Sequence, residues 1–114
     1  MVVDSQAYQL SDDEVDRIFH ALADATRRDI VRRTLVNPIT ISDIAADYAM
    51  SFAGVQKHVA VLTTAGLVTK VPQGRNRLIR ANPEMIDRVQ KLLDEFEAIW
   101  RTRIDQLDAL LAED

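Results

Sequence analysis

The chain has 114 residues, enough for one domain with a single modest core, and its 47% apolar and 28% charged residues are those of an ordinary globular protein rather than a disordered tail. It contains no cysteine, which excludes disulfides, thiolate nucleophiles and thiolate metal sites, and no apolar run approaches membrane-spanning length. The opening MVVDSQAYQLSDDE is polar and acidic, unlike a signal peptide, so a cytoplasmic location is expected.

The net charge of −4 is unlike that of a nucleic-acid binder until it is divided along the chain. Residues 1–16 carry five acids and no base, and residues 17–50 hold five Arg against four Asp. Residues 51–82 contain Lys57, Lys70, Arg75, Arg77 and Arg80 and no acid, whereas 83–114 hold nine acids and four bases. A basic middle lies between acidic ends.

In chain order, residues 1–10 read as a flexible arm. Ser11-Asp-Asp-Glu14 is a capping box, and Val15, Ile18, Phe19 and Leu22 give the helix from about Asp12 to Ala23 one apolar face. Asp24-Ala25-Thr26 marks a break and a new cap, with Asp29 three residues past Thr26. The second helix is expected to turn Ile30, Val31 and Leu35 inward and to end at Asn37-Pro38. Arg27, Arg28, Arg32 and Arg33 fall on its other faces, as a solvated face with i,i+4 pairing or as phosphate contacts.

A short third helix starts at Thr40-Ile41-Ser42-Asp43, with Ile41, Ile44, Ala45 and Tyr48 inward, and Ala49-Met50 is a turn. Ser51 caps a fourth helix that closes at Gly66, a residue suited to the left-handed conformation beyond a helix end. Val55, Val59 and Leu62 mark its buried face. Ser51, Ala53, Gln56, Lys57 and Ala60 then face out, with Phe52 and His58 at the margins. Leu67–Val71 has strand composition, Pro72-Gln73-Gly74 is a turn signal, and Arg75–Arg80 reads as the returning strand of a basic hairpin.

Asn82-Pro83-Glu84 starts a last helix of near thirty residues, uninterrupted by Gly or Pro to about Ala112. Ile86, Val89, Leu93, Phe96, Trp100, Ile104, Leu107 and Leu111 recur every three or four residues, with Leu92, Ile99 and Leu110 widening the stripe. At 1.5 Å per residue the helix is about 45 Å long, more than so small a core needs. A second copy is the expected cover, with Leu93, Phe96, Trp100, Ile104, Leu107, Leu111 and Phe19 of the first helix at the interface.

The fold class expected is mainly α with a small β-wing, a winged helix-turn-helix in which residues 11–82 form the DNA-binding core and 83–114 the dimerisation helix of the same domain. Double-stranded DNA is the expected partner. Lys57, Lys70, Arg75, Arg77 and Arg80 can each neutralise a phosphate, and Arg75 or Arg77 can alternatively enter the minor groove. Gln56 can pair bidentately with adenine, Lys57 can donate to guanine, and Ala53 or Phe52 can touch a thymine methyl, unless Phe52 serves instead as a packing residue. Ser51 and His58 complete the candidate surface, His58 as a structural or phosphate-contacting residue.

Two other classes stay open. Asp16 and His20 share a helix face, with Asp13 and Asp24 nearby, and could seed a metal site across a dimer. A pure interaction protein would keep the helices but has no reason to gather five bases around a hairpin. As an enzyme the sequence offers little: Ser5, Ser11, Ser42 and Ser51 lack a glycine-rich elbow, and no phosphate-cradling loop occurs, so no cofactor is expected.

The runs FHALADATRRDIVRRTL (19–35) and ISDIAADYAMSFAGVQKHVAVLTTAGLVTKVPQGRNRLIRANPE (41–84) resemble the ArsR (arsenic-repressor-like) family of bacterial winged-helix regulators. Its strongest markers here are LADATRR, the run from Ser51 through QKHV to AGLV, and the G-R-x-R-L-I wing. The resemblance implies a homodimer whose two fourth helices enter successive major grooves, and repression by promoter blocking that an inducer, unidentified here, relieves. Where better-known members carry cysteines, this chain has Thr40-Ile41-Ser42-Asp43. Where others place His and carboxylate ligands on the last helix, it has Asp87 and Glu97 without histidine. The ending EFEAIWRTRIDQLDALL resembles a metal-independent branch.

Overall fold

The computed structural model describes residues 9–113. Most of the expected N-terminal arm, residues 1–8, lies outside the described residues. The elements are α1 Asp12–Leu22, α2 Ala25–Val36, β1 Ile39–Thr40, α3 Ile41–Tyr48, α4 Phe52–Thr64, β2 Val68–Gln73, β3 Asn76–Ala81 and α5 Pro83–Leu111. By internal contacts the described residues divide into two units, one spanning Ser11–Ile86 and one holding residues 9–10 and 87–113.

In the first unit, side chains that satisfy the orphan amides of helix starts set most boundaries. At α1 both bonds of the capping box form: Ser11 Oγ accepts from the Glu14 amide at 3.1 Å, and the Ser11 amide donates to Glu14 Oε1 at 2.9 Å. The cap of α2 is Asp24 rather than Thr26. Its carboxylate accepts from the Arg27 amide at 3.0 Å, a charge-assisted bond that starts the helix two residues sooner. Leu35, expected inward, is 48% exposed. Thr34 takes the inner position next to Ile30 and Val31, and its hydroxyl donates to the Ile30 and Val31 carbonyls, so a polar residue is buried without an unmet bond.

Thr40 caps α3, accepting from the Asp43 amide at 3.1 Å, and Ser51 caps α4, accepting from the Gly54 amide at 3.0 Å. Between these helices Ala49 adopts a left-handed backbone with φ 54°, which turns the chain sharply. Val55, Val59 and Leu62 are all fully buried, as the spacing of α4 predicts. They join Ile18, Ile30, Ile44, Leu67, Val68 and Ile79 in one core.

The sheet has the order β1-β3-β2 and is antiparallel throughout. β1 is absent from the sequence-based expectation. A two-residue strand carries no periodicity, and only its pairing of Ile39 with Ile79 and Thr40 with Leu78 defines it. The hairpin turn also lies later than the Pro72-Gln73-Gly74 signal. Gln73 pairs with Asn76, leaving Gly74-Arg75 as a two-residue loop, with Gly74 at φ +60° as a type II′ turn requires. Pro72 is tolerated inside β2 because that strand is at the sheet edge. After α4, Gly66 has φ +78° and its carbonyl accepts from Asn82 Nδ2 at 2.8 Å, which ties the entry of the hairpin to its exit.

In the second unit Arg88 Nη2 donates to the Gln9 carbonyl at 2.9 Å. Asp87 with Lys91 and Glu97 with Arg101 form i,i+4 ion pairs on the helix surface. Leu93, Phe96, Ile99, Trp100, Leu107, Leu110 and Leu111 are exposed, while Ile104 is half-buried.

Leu62→Ala is expected to cost about 2–5 kcal/mol, because it leaves a cavity in a closed core. Leu35→Ala is expected to stay within roughly 0.5 kcal/mol, because the side chain is already half in solvent. Urea denaturation of both variants checks the exchange of Leu35 for Thr34, and equal losses would contradict it.

Candidate nucleic-acid interface

The outer face of α4 is built by default, because the core takes Val55, Val59 and Leu62 and leaves the other faces to solvent. Ser51, Ala53, Gln56, Lys57 and Ala60 are exposed, and among the described residues the Gln56 and Lys57 side chains have no hydrogen-bond partner. Both heads are therefore available to a ligand. Phe52, at the first position of the helix, is 48% exposed and does not belong to the core.

His58 has a different role. It is half-buried, with Nδ1 3.3 Å from Arg27 Nη1 and 3.9 Å from Asp24 Oδ2. Arginine can only donate, so Nδ1 accepts and the imidazole carries its proton on Nε2. An ion pair with Asp24 would need that proton on Nδ1. The shorter arginine contact governs. Arg27 also donates from Nε to the Ala21 carbonyl at 2.8 Å and from Nη2 to the His20 carbonyl at 2.9 Å. One guanidinium therefore meets the last carbonyls of α1 and the flank of α4.

Arg28 Nη1 likewise donates to the Leu22 carbonyl at 2.8 Å. Two of the four α2 arginines thus serve the unpaired carbonyls at the C-terminus of α1, a role absent from the pattern of charge spacing. Arg32 pairs with Asp29 at i,i+3 and 3.0 Å. Arg33 pairs with Asp47 of α3 and lies 5.4 Å from the Tyr48 ring centre, a cation–π contact. The Tyr48 hydroxyl donates to Asp29, which holds that carboxyl below the ordinary aspartate value of 3.8. Burial, and then the same bond, push the Tyr48 phenol up. These contacts fasten α3 to α2, and the turn at Ala49 carries that placement on to α4.

The hairpin divides its charges. Cross-strand partners share a face, so Lys70, opposite Ile79, lies on the side of Ile79, Ala81 and Arg77. Arg80, opposite Thr69, lies on the other side, and Arg75 is in the turn itself. All four basic residues are exposed. The structure brings Lys70 and Arg77 together on one face, sets Arg75 at the tip, and places Arg80 on the opposite face. Alternation in the sequence shows the strands but not this division, which needs the register.

Asp24, a candidate metal ligand by sequence, is the cap of α2, and the hydrogen bond from the Arg27 amide, with the charge of the Arg27 guanidinium beside it, holds its carboxyl below the ordinary range. Among the described residues, no three His, Cys, Asp or Glu side chains are grouped so as to hold a metal ion. Among the same residues, no helix is long and apolar enough to cross a membrane.

No family model matches the chain. The HTH-type transcriptional regulator Rv2034 of Mycobacterium tuberculosis is 38% identical over 81 residues, which cover 71% of this chain and 76% of that protein. The crystal structure of the ArsR family transcriptional regulator RHA00566 is 30% identical, with a TM-score of 0.75, and covers 81% of this chain and 95% of its own. An ArsR-like transcriptional regulator from Rhodococcus sp. RHA1 is 25% identical, with a TM-score of 0.79, over 100% of this chain and 99% of its own. The last match includes the long C-terminal helix.

Tyr48→Phe removes the bond that depresses Asp29, so the Asp29 midpoint in a carboxyl-detected NMR titration is expected to rise toward 3.8. A depressed carboxyl stabilises the fold above its unfolded value, and that contribution is lost as pH falls through the folded value. Acid unfolding of Tyr48→Phe should accordingly begin at higher pH than in the parent. An unchanged midpoint would remove Tyr48 as the cause.

Proposed function

We propose that this chain, a DNA-binding transcriptional regulator that belongs to the ArsR family, works in the cytoplasm as a homodimeric repressor that reads a palindromic operator with α4. The observation that carries this reading is the outer face of α4, where Gln56 and Lys57 stand unpartnered within a segment, 51–82, that holds five bases and no acid. A helix of this kind fits the major groove, where Gln56 pairs with the edge of adenine, Lys57 donates to guanine, and Ala53 and Phe52 meet thymine methyls.

Ser51 is both the cap of α4 and a hydroxyl within reach of the backbone, and His58 supports the helix from its flank. Lys70 and Arg77 follow one strand of phosphates, Arg75 at the turn enters the minor groove or meets its rim, and Arg80 contacts the backbone from the other face of the wing. None of these bases need discriminate sequence; together they supply salt-dependent affinity.

Dimerisation is supported by the second unit considered by itself. Trp100 is 60% and Phe96 56% exposed, and with Leu93, Ile104, Leu107 and Leu111 they form an apolar stripe that a soluble monomer would leave in water. A two-fold partner covers such a stripe with its own copy. Phe19, also exposed, is a further apolar contact. An inducer that releases the operator completes the scheme.

Selection of bound DNA from a random pool is expected to return an imperfect palindrome with half-sites about one helical turn apart. Gln56→Ala should relax preference at one base pair, whereas Arg75→Ala should weaken all sequences and flatten the salt slope by about one unit. Uniform losses in both variants would remove Gln56 as a reader. In sedimentation equilibrium, Trp100→Ala is expected to raise the dimer dissociation constant roughly thirtyfold, as loss of an interface anchor of about 2 kcal/mol does.

A further inference from the structure

An open groove of about 240 Å³ lies between α1 and α4, lined by Arg17, His20, Ala60, Val61 and Thr64. We propose that it is a binding site for a small apolar carboxylate, such as an aromatic acid. Three properties of the lining select this class. The floor, Ala60 and Val61, is apolar and can take a ring or short alkyl body. An apolar cavity of roughly 150 Å³ accommodates one benzene, so this groove has space for a ring and a carboxyl group.

The rim supplies the complement of that carboxyl. Arg17 and His20 are exposed, and among the described residues neither side chain has a hydrogen-bond or ion-pair partner. Arg17 offers a planar fork that matches a carboxylate with two parallel bonds, and the His20 imidazole and Thr64 hydroxyl add further donors. The groove contrasts with the neighbouring Arg27, whose donors are occupied by the Ala21 and His20 carbonyls and by His58.

Other occupants fit less well. A metal ion would find one imidazole, no lining carboxylate and a repelling guanidinium. A DNA phosphate needs no apolar floor, and Thr64 lies about 12 Å along the helix axis from Gln56, toward the end away from Ser51. The site is a property of the DNA-free chain and stands apart from whether α4 reads bases.

The test is an NMR titration of the full chain with benzoate and with benzyl alcohol, which keeps the ring and lacks the charge. Benzoate is expected to shift the amides of α1 and α4 around Arg17, His20, Ala60, Val61 and Thr64, with a dissociation constant of about 1 mM or tighter. Benzyl alcohol should bind at least about tenfold more weakly, and Arg17→Gln should weaken benzoate by about the same factor, as loss of a charge-assisted bond does. Ala60→Phe, at an exposed position, should fill the groove and abolish binding while the spectrum remains that of a folded chain. The proposal is overturned by an absence of shifts at about 20 mM benzoate, by equal binding of the alcohol, or by an unchanged constant in Arg17→Gln. A loss of operator affinity in Arg17→Gln without benzoate would assign that residue to phosphate instead, and would also overturn it.

Discussion

The position of α4 depends on one guanidinium. Arg27 sits in the first turn of α2, with its own amide held by Asp24, and sends its side-chain donors to the Ala21 and His20 carbonyls and to His58. Three helices therefore meet at one planar group, whose fixed fork of donors reaches all of them. Of the two carbonyls it meets, that of His20 also accepts from the Ala23 amide, while that of Ala21, at the end of α1, gains its partner here, at the same place where α4 is gripped. Arg28 repeats the device one carbonyl further along, at Leu22. On the other side of α2, Arg33 and Asp29 hold Asp47 and Tyr48 of α3. Both α3 and α4 are thus referred to α2, one through each end of its charged surface.

Much of this fold was legible in the sequence because its boundaries are chemical. Ser11 with Glu14, Thr40, Ser51 and Gly66 are residues whose local bonds mark helix ends whatever surrounds them. The buried triplet of α4 followed from spacing alone. Where the sequence misled, the competing choices were close in kind. Asp24 and Thr26 are both good caps, and only the backbone at the end of α1 decides between them. Leu35 and Thr34 differ by one step around the helix, and the more apolar residue was not the inner one, because Thr34 could return its hydroxyl to the backbone. β1 was invisible for a simpler reason: its existence is a pairing with β3, forty residues away in sequence.

The candidate surface was legible as a list of residues but not as an arrangement. Charge counting found the acid-free segment 51–82. It did not show that Arg27 and Arg28, in a run that looked equally fit for phosphate, are committed to carbonyl oxygens within the fold. Nor did it show that Arg80 and Arg77 lie on opposite faces of the hairpin, which follows from a register fixed by a two-residue loop at Gly74-Arg75. The groove beside Arg17 and His20 is illegible in the sequence for the same reason. Its floor and rim come from helices forty residues apart, and each half looks like ordinary helix surface alone.

The exposed stripe of α5 bears on dosage. If folding to the active form requires two chains, the population able to grip a palindrome grows with the square of the free chain at low abundance and only levels off once pairing is complete. Small changes in synthesis or degradation are then amplified into larger changes of promoter occupancy, without any change in the contacts made to bases. In the proposed dimer, the exposed apolar stripe from Leu93 to Leu111 would act as a threshold element as well as a joint.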